Sequence, residues 1–182
     1  MEEKKITRRD FLRVAAGTAM AATLGPDGSG EVRAEPIAKV VLVRNSKVLG
    51  DRDKIQGEIL QAMLDEAVNN LLGTNEPLEA WQKLFKSSDI VGIKSNDWQK
   101  LPTPKELETV IKQRLLDVGV AEKNIDIDDR GVLNNPVFLN ATALVNVRPL
   151  RTHHWAGVGT CLKNYIQFVN NRPAYHDEGC ST

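Results

Sequence analysis

Apolar residues recur along this chain with two different periods. Short runs rich in β-branched residues occupy 39–44, 89–94, 124–128 and 142–147, each with the length and composition of a strand buried in a sheet. Between the first two runs, Ile55, Ile59, Met63, Ala67 and Leu71 recur every four residues, with Leu60, Leu64 and Val68 widening the stripe. That spacing predicts an amphipathic helix, closed by Gly73. A shorter helix is expected from Pro77, turning Leu78, Trp81, Leu84 and Phe85 inward. A third opens at Thr103-Pro104-Lys105-Glu106, where Thr suits the N-cap, Pro the first turn and Glu a capping box. Its stripe is Leu107, Val110, Ile111, Leu115 and Val118, and Gly119 is the stop. Strands alternating with helices predict an α/β domain, a mostly parallel sheet with helices on both faces in Rossmann-like layers.

The first 34 residues do not follow this pattern. Thr7-Arg8-Arg9-Asp10-Phe11-Leu12-Arg13 resembles a twin-arginine export signal almost position for position, with Arg8 and Arg9 as the paired arginines. The stretch from Val14 to Leu24 is weakly apolar, whereas a membrane span needs about 20 strongly apolar residues. No permanent transmembrane helix is expected there. A breaker run at 25–30 leads to Val32-Arg33-Ala34, which suits a signal peptidase. Cleavage is expected after Ala34, giving a signal peptide over 1–34 and an α/β domain over 35–182. The partner during export is then the twin-arginine translocase, and the destination is periplasmic or otherwise exported. This route carries passengers that fold first, often around a cofactor.

Charge changes the picture once the signal is set aside. The chain holds 24 bases and 24 acids, and without residues 1–34, which carry six bases and five acids, 18 bases face 19 acids. A near-neutral domain has no general attraction for a polyanionic polymer, so nucleic acid is disfavoured as a partner.

Ligands of open parallel sheets bind beyond the carboxyl ends of the strands. The residues following the expected strands are Asn45, Ser46 and Lys47, then Lys94, Ser95, Asn96 and Asp97, then Asp128, Asp129 and Arg130, then Arg148, Arg151, Thr152, His153 and His154. They form a polar set that fits either a site or solvated loops. The run Gly157-Val158-Gly159-Thr160 leads into an expected helix from Cys161 to Val169 carrying Lys163 and Asn164. Such a run presents backbone N–H groups to an anion or makes a plain tight turn. It lacks the Lys-Ser/Thr ending of a P-loop and the third glycine of a dinucleotide fingerprint. A metal would draw on His153, His176 and Cys180, although no CxxC or HExxH spacing is present. Adjacent histidines in extended chain point to opposite sides, so His153 and His154 are not expected to share an ion. Cys161 and Cys180 also suit a single disulfide in an exported protein. Trp81 reads as core, while Trp98 and Trp155 flank the polar loops and suit either the core or the wall of a pocket.

Taken together, Asp89 to Asn96, Thr103-Pro104 opening a helix, Leu144 to His153, Gly159 to Asn164, and His176 resemble, in order and spacing, the family catalogued as domain of unknown function three-six-two. The resemblance runs over residues 39–181 and implies an α/β fold and twin-arginine export, with ferredoxin-type clusters in some members. Three departures stand out. Arg151 replaces the usual lysine, which exchanges a point charge for a planar fork. No ferredoxin-type cysteine cluster is present. Relatives continue beyond the His176 region, which implies either a short form or a truncated, incomplete sheet.

The resulting expectation is an exported α/β protein binding a small anionic molecule, or a metal–anion pair, through Asn96, Arg151, Lys163 and Asn164. In a reaction, His153 would move the proton and Lys94 or Arg151 would meet developing negative charge. The alternatives are a redox-associated metal or iron–sulfur partner of a respiratory system, and a truncated non-catalytic fragment.

Overall fold

The computed structural model describes residues 38–154 and 157–175. Contacts divide the chain into Met1–Lys39 and Val40–Thr182, and everything below belongs to the second unit. Arg8, Arg9 and Ala34, and with them the expected boundary after residue 34, lie outside the described residues.

Three parallel strands, β1 (Val91–Lys94), β2 (Ile125–Asp128) and β3 (Ala143–Asn146), form a sheet in the order β2-β1-β3. Side chains alternate across a sheet, and here the alternation separates packing from chemistry. Val91 and Ile93, with Ile125 and Ile127 beside them on β2 and Ala143 and Val145 on β3, share a core with Trp81, Phe85, Ile111, Leu115, Val118 and Val120. The opposite positions in the same register are Gly92 and Lys94, Asp126 and Asp128, Leu144 and Asn146.

Three helices cover the apolar face: α1 (Gly57–Leu72), α2 (Pro77–Leu84) and α3 (Lys105–Asp117). α1 ends where Gly73 takes a left-handed conformation at φ 67° and its N–H reaches Asn69 O at 2.8 Å, the stop expected of a C-terminal glycine. α3 ends similarly, with Gly119 at φ 91°. α2 begins on Pro77 and buries Ala80 and Trp81, with Trp81 stacked on Phe85 at 5.7 Å between centroids. Leu78 and Leu84, expected to face inward, are each 43% exposed, because a helix this short turns only its Ala80–Trp81 side to the core.

The polar face is covered by shorter pieces. α4 (Pro136–Leu139) is capped by the Asn135 side chain, which accepts from Val137 N and Phe138 N. Its Phe138 lies over Gly92, where an added Cβ would stand 2.9 Å from the ring and 2.9 Å from Leu144 Cδ2. Phe168 approaches Phe138 at 6.2 Å. Helices therefore lie on both faces of a parallel sheet, and the fold is α/β. Among the described residues no helix is long and apolar enough to cross a membrane.

Three expectations are corrected. The run 39–44 forms no strand, and Val40 and Leu42 are 87% and 73% exposed. β1 already has a strand on each side, and β propensity without a ladder partner or a face to bury stabilises nothing. The run Gly157-Val158-Gly159 is not a loop but β5 (Gly157–Gly159), paired antiparallel with β4 (Arg151–His153). The helix expected over 161–169 is one α turn, α5 (Cys161–Asn164), followed by a 3-10 turn at Tyr165–Phe168.

Candidate functional site

The carboxyl end of β1 delivers Lys94 into the protein rather than out of it. Its side chain is 0% exposed, and Nζ donates to Ser95 O at 2.7 Å, to Asn164 Oδ1 at 3.4 Å and, as an ion pair, to Asp129. Burial pushes the lysine below its ordinary value, and the Asp129 carboxylate pulls against that shift. For Asp129 burial acts upward, but hydrogen bonds from Asp97 and from Lys94 outweigh it and hold the carboxyl below its ordinary range. The Asp97 backbone N–H supplies one of these bonds at 3.0 Å.

Asn164 closes the arrangement. It is 1% exposed, and its Nδ2 lies 2.9 Å from Ser95 O, 2.9 Å from Asn146 Oδ1, 3.3 Å from Lys94 O and 3.4 Å from Val147 O. One amide on α5 thus satisfies acceptors at the ends of β1 and β3. Thr103 makes a second clip: its Oγ1 accepts the Asn96 N–H at 3.1 Å and donates to Val147 O at 3.4 Å, while its own N–H reaches Asn96 O at 2.7 Å. The expected capping box is therefore not formed. Pro104 holds the cap position without a side-chain bond, because the Thr103 hydroxyl is committed to the loops beyond β1 and β3.

Above these clips lies a cavity of about 480 Å³ whose walls include Asn96, Trp98, Arg148, Arg151, Gln167 and Asn164. That volume is of the size small-molecule sites occupy. Arg151 is held over the Trp98 ring with its guanidinium carbon 3.7 Å from the centroid, a cation–π contact that fixes the direction of the fork. Arg148 runs along the hairpin at Gly159, where a Cβ would stand 3.1 Å from Nη2. A side chain at 159 would displace it. Among the described residues neither arginine forms a salt bridge, and the Nε of each is buried without a protein partner. Burial, and then the Arg151 charge beside it, push Arg148 below the ordinary arginine value, and burial does the same to Arg151. Guanidiniums stay charged at any physiological pH, so these shifts describe cations in an unfavourable setting. Asn96 Oδ1 and Gln167 Oε1 are likewise buried without a partner.

Of the residues expected from the sequence, Asn96, Arg151, His153, Lys163 and Asn164 come together around this cavity, while Lys94 lies beneath it and is not part of its wall. His154 joins them, and its ring stacks on that of His153 at 5.4 Å and 11°. The expectation that the two rings diverge is overturned because β4 ends at His153 and the chain turns at His154, so strand alternation stops between them. His176, Cys180 and Trp155 lie outside the described residues. Cys161 is an exposed free thiol whose Sγ lies 3.6 Å from Asn146 O. Among the described residues no three His, Cys, Asp or Glu side chains are placed to hold a metal ion.

Sequence reasoning passed over Asn146 and Gln167, and held Arg148 and Asp129 within the strand-end polar set without singling them out as ligand contacts. Their signal was position, since Asp129 directly follows β2 and Arg148 lies two residues beyond β3, the strands that pair with β1. Gln167 offered none.

A family model of the TAT (twin-arginine translocation) pathway signal sequence matches residues 5–25. The chain therefore carries an export signal that directs it across the membrane by that pathway. No curated protein and no solved structure matches the chain.

Proposed function

We propose that the exported domain binds a small anionic molecule in the cavity beyond the carboxyl ends of β1 and β3. The observation that carries the reading is the pair of guanidiniums, Arg148 and Arg151, which share one cavity and form no salt bridge among the described residues, while Asp129 in the same wall is already paired with Lys94. Two like charges in a partly desolvated site repel each other, and an anion between them turns that cost into charge-assisted hydrogen bonds. Arg151, His153 and Asn164 all fall in segments that carry the sequence resemblance to the family catalogued as domain of unknown function three-six-two, which implies the fold and the export route. On the same reading the mature chain begins at Glu35.

A catalytic reading has one observation in its favour, the presence of His153 in the cavity wall beside Arg151. His153 then moves the proton and Arg151 meets developing negative charge. Lys94, sealed behind Asp129, acts only by positioning the loops around it.

The test is thermal unfolding with increasing inorganic phosphate or succinate against chloride at matched ionic strength. At a hundredfold excess over Kd, binding stabilises by about 2.7 kcal/mol, roughly 5–10 °C for a chain of this size. The Arg148→Ala/Arg151→Ala double variant is expected to unfold no earlier than wild type without anion and to lose the shift. A wild-type Tm that does not respond to either anion, or a double variant that keeps the response, overturns the proposal.

A further inference from the structure

The same cavity holds unmet acceptors as well as unmet donors, and the two together define what kind of anion fits. Asn164 has its orientation set by the carbonyls around Nδ2 and by Lys94 Nζ at its Oδ1. Its Oδ1 in turn faces Asn96 Nδ2 at 3.5 Å. That fixes which end of the Asn96 amide is left over, and the remaining atom is the carbonyl oxygen, buried without a protein partner in a residue only 7% exposed. Gln167, on the 3-10 turn after α5, also has its Oε1 buried without a protein partner. Its terminal amide turns about a broad, two-fold torsion, which brings that oxygen to the cavity surface without moving backbone.

A fully ionised inorganic anion such as sulfate offers acceptors alone, and hydrogen phosphate spends its one hydroxyl within a sphere too compact to span the guanidiniums and the amides together. Either answers Arg148 and Arg151 but leaves both amide oxygens unsatisfied, and a buried acceptor without a donor carries its full desolvation cost. A ligand ammonium would supply donors, but it adds another like charge to a wall that already carries Arg148, Arg151, Lys163 and Arg172. A hydroxyl supplies a donor without charge. Resting on the anion-binding reading above, we infer that the ligand is an organic dianion bearing at least one hydroxyl group, with its negative charges on Arg148 and Arg151 and a hydroxyl proton donated to the amide oxygen of Gln167, a second hydroxyl, where the ligand carries one, serving that of Asn96.

Carboxylates and phosphate esters share this chemistry, and paired probes separate them. Calorimetric titration of the full chain with succinate and malate compares dicarboxylates that differ by one hydroxyl. Propyl phosphate and glycerol 3-phosphate make the corresponding phosphate pair. In at least one pair the hydroxylated member is expected to bind about tenfold tighter, the discrimination of one to two neutral hydrogen bonds, and the pair that shows it identifies the anionic group. In Gln167→Met, which keeps the length of the side chain and removes the acceptor, the preference falls to about threefold. Equal binding within both pairs overturns the inference while leaving anion binding intact. If none of the four probes binds, both readings fall. A preference unchanged in a folded Gln167→Met protein also counts against the inference, because it removes the amide from the contact.

Discussion

Asn164 uses both ends of one amide on groups that arrive from two other segments, the ends of β1 and β3. Asn164→Ala leaves the Asn146 side-chain acceptor and one side of the Lys94 ammonium without a partner, and Ser95 O with Lys94 Nζ alone. The expected loss is about 2–4 kcal/mol, the cost of one or two buried polar groups left unsatisfied, read as a lower midpoint in urea at unchanged slope. Asp129 adds a pH dependence whose sign follows from its environment. Its folded-state value lies below the ordinary 3.8, so its stabilisation is complete at neutral pH and is lost as pH falls below about 4 through the folded value. Lys94 is protonated in both states across that window and contributes no slope there. Asp129→Asn is expected to cost about 3–5 kcal/mol at pH 7, as for a broken buried pair, and to flatten the acid limb between pH 5 and 3 in denaturation curves. An acid limb as steep as that of wild type would assign the slope to other carboxylates, such as Asp89, which is also held low by the Lys86 N–H and Thr142 hydroxyl. A lysine after a strand reads equally well as a ligand contact or as a buried partner. What decided the matter was Asp129, one residue beyond β2, and its reach to Lys94 depends on strand order, which local sequence does not encode.

At the scale of elements, β1 is the strand that everything else is built around, and Gly92 is its tightest point. Phe138 and Leu144 occupy the space a side chain would need, so Gly92→Ala is expected to destabilise by about 1–3 kcal/mol through overpacking. A paired Phe138→Leu change that restores part of this in a double-mutant cycle would show the contact directly. Helix periodicity and glycine stops were legible because they are local: Gly73 and Gly119 end α1 and α3 where their spacing predicts. β1, β2 and β3 fall inside the runs at 89–94, 124–128 and 142–147. The run at 39–44 has the same composition but forms no strand, because a strand is made by its neighbour and composition alone does not supply one. Thr103 fails as a cap for a related reason, since a hydroxyl at that position is equally able to bond a loop distant in sequence. The Gly157 run fits an anion-presenting loop or a tight turn because two glycines signal either locally, whereas Gly159 is small to let Arg148 pass along β5.

At the scale of the whole molecule, the export signal and the folded domain make separate demands. The matched segment 5–25 contains Arg8 and Arg9, and their paired guanidinium forks are not reproduced by ammonium groups. Replacing both by lysine is expected to leave the spectrum and melting of the domain unchanged while most of the protein stays in the cytoplasmic fraction; export at the wild-type rate would place the address elsewhere. Between these ends runs a matter of timing. The bonds made by Asn164 to Lys94, Ser95 and Asn96 span 70, 69 and 68 residues, so the last tie on the sheet comes from chain that leaves the ribosome long after the signal has done so. Until residue 164 has emerged, the address is already legible on a passenger whose central strand still lacks its final bond, and the quality control of this protein is therefore a question of how long that interval lasts.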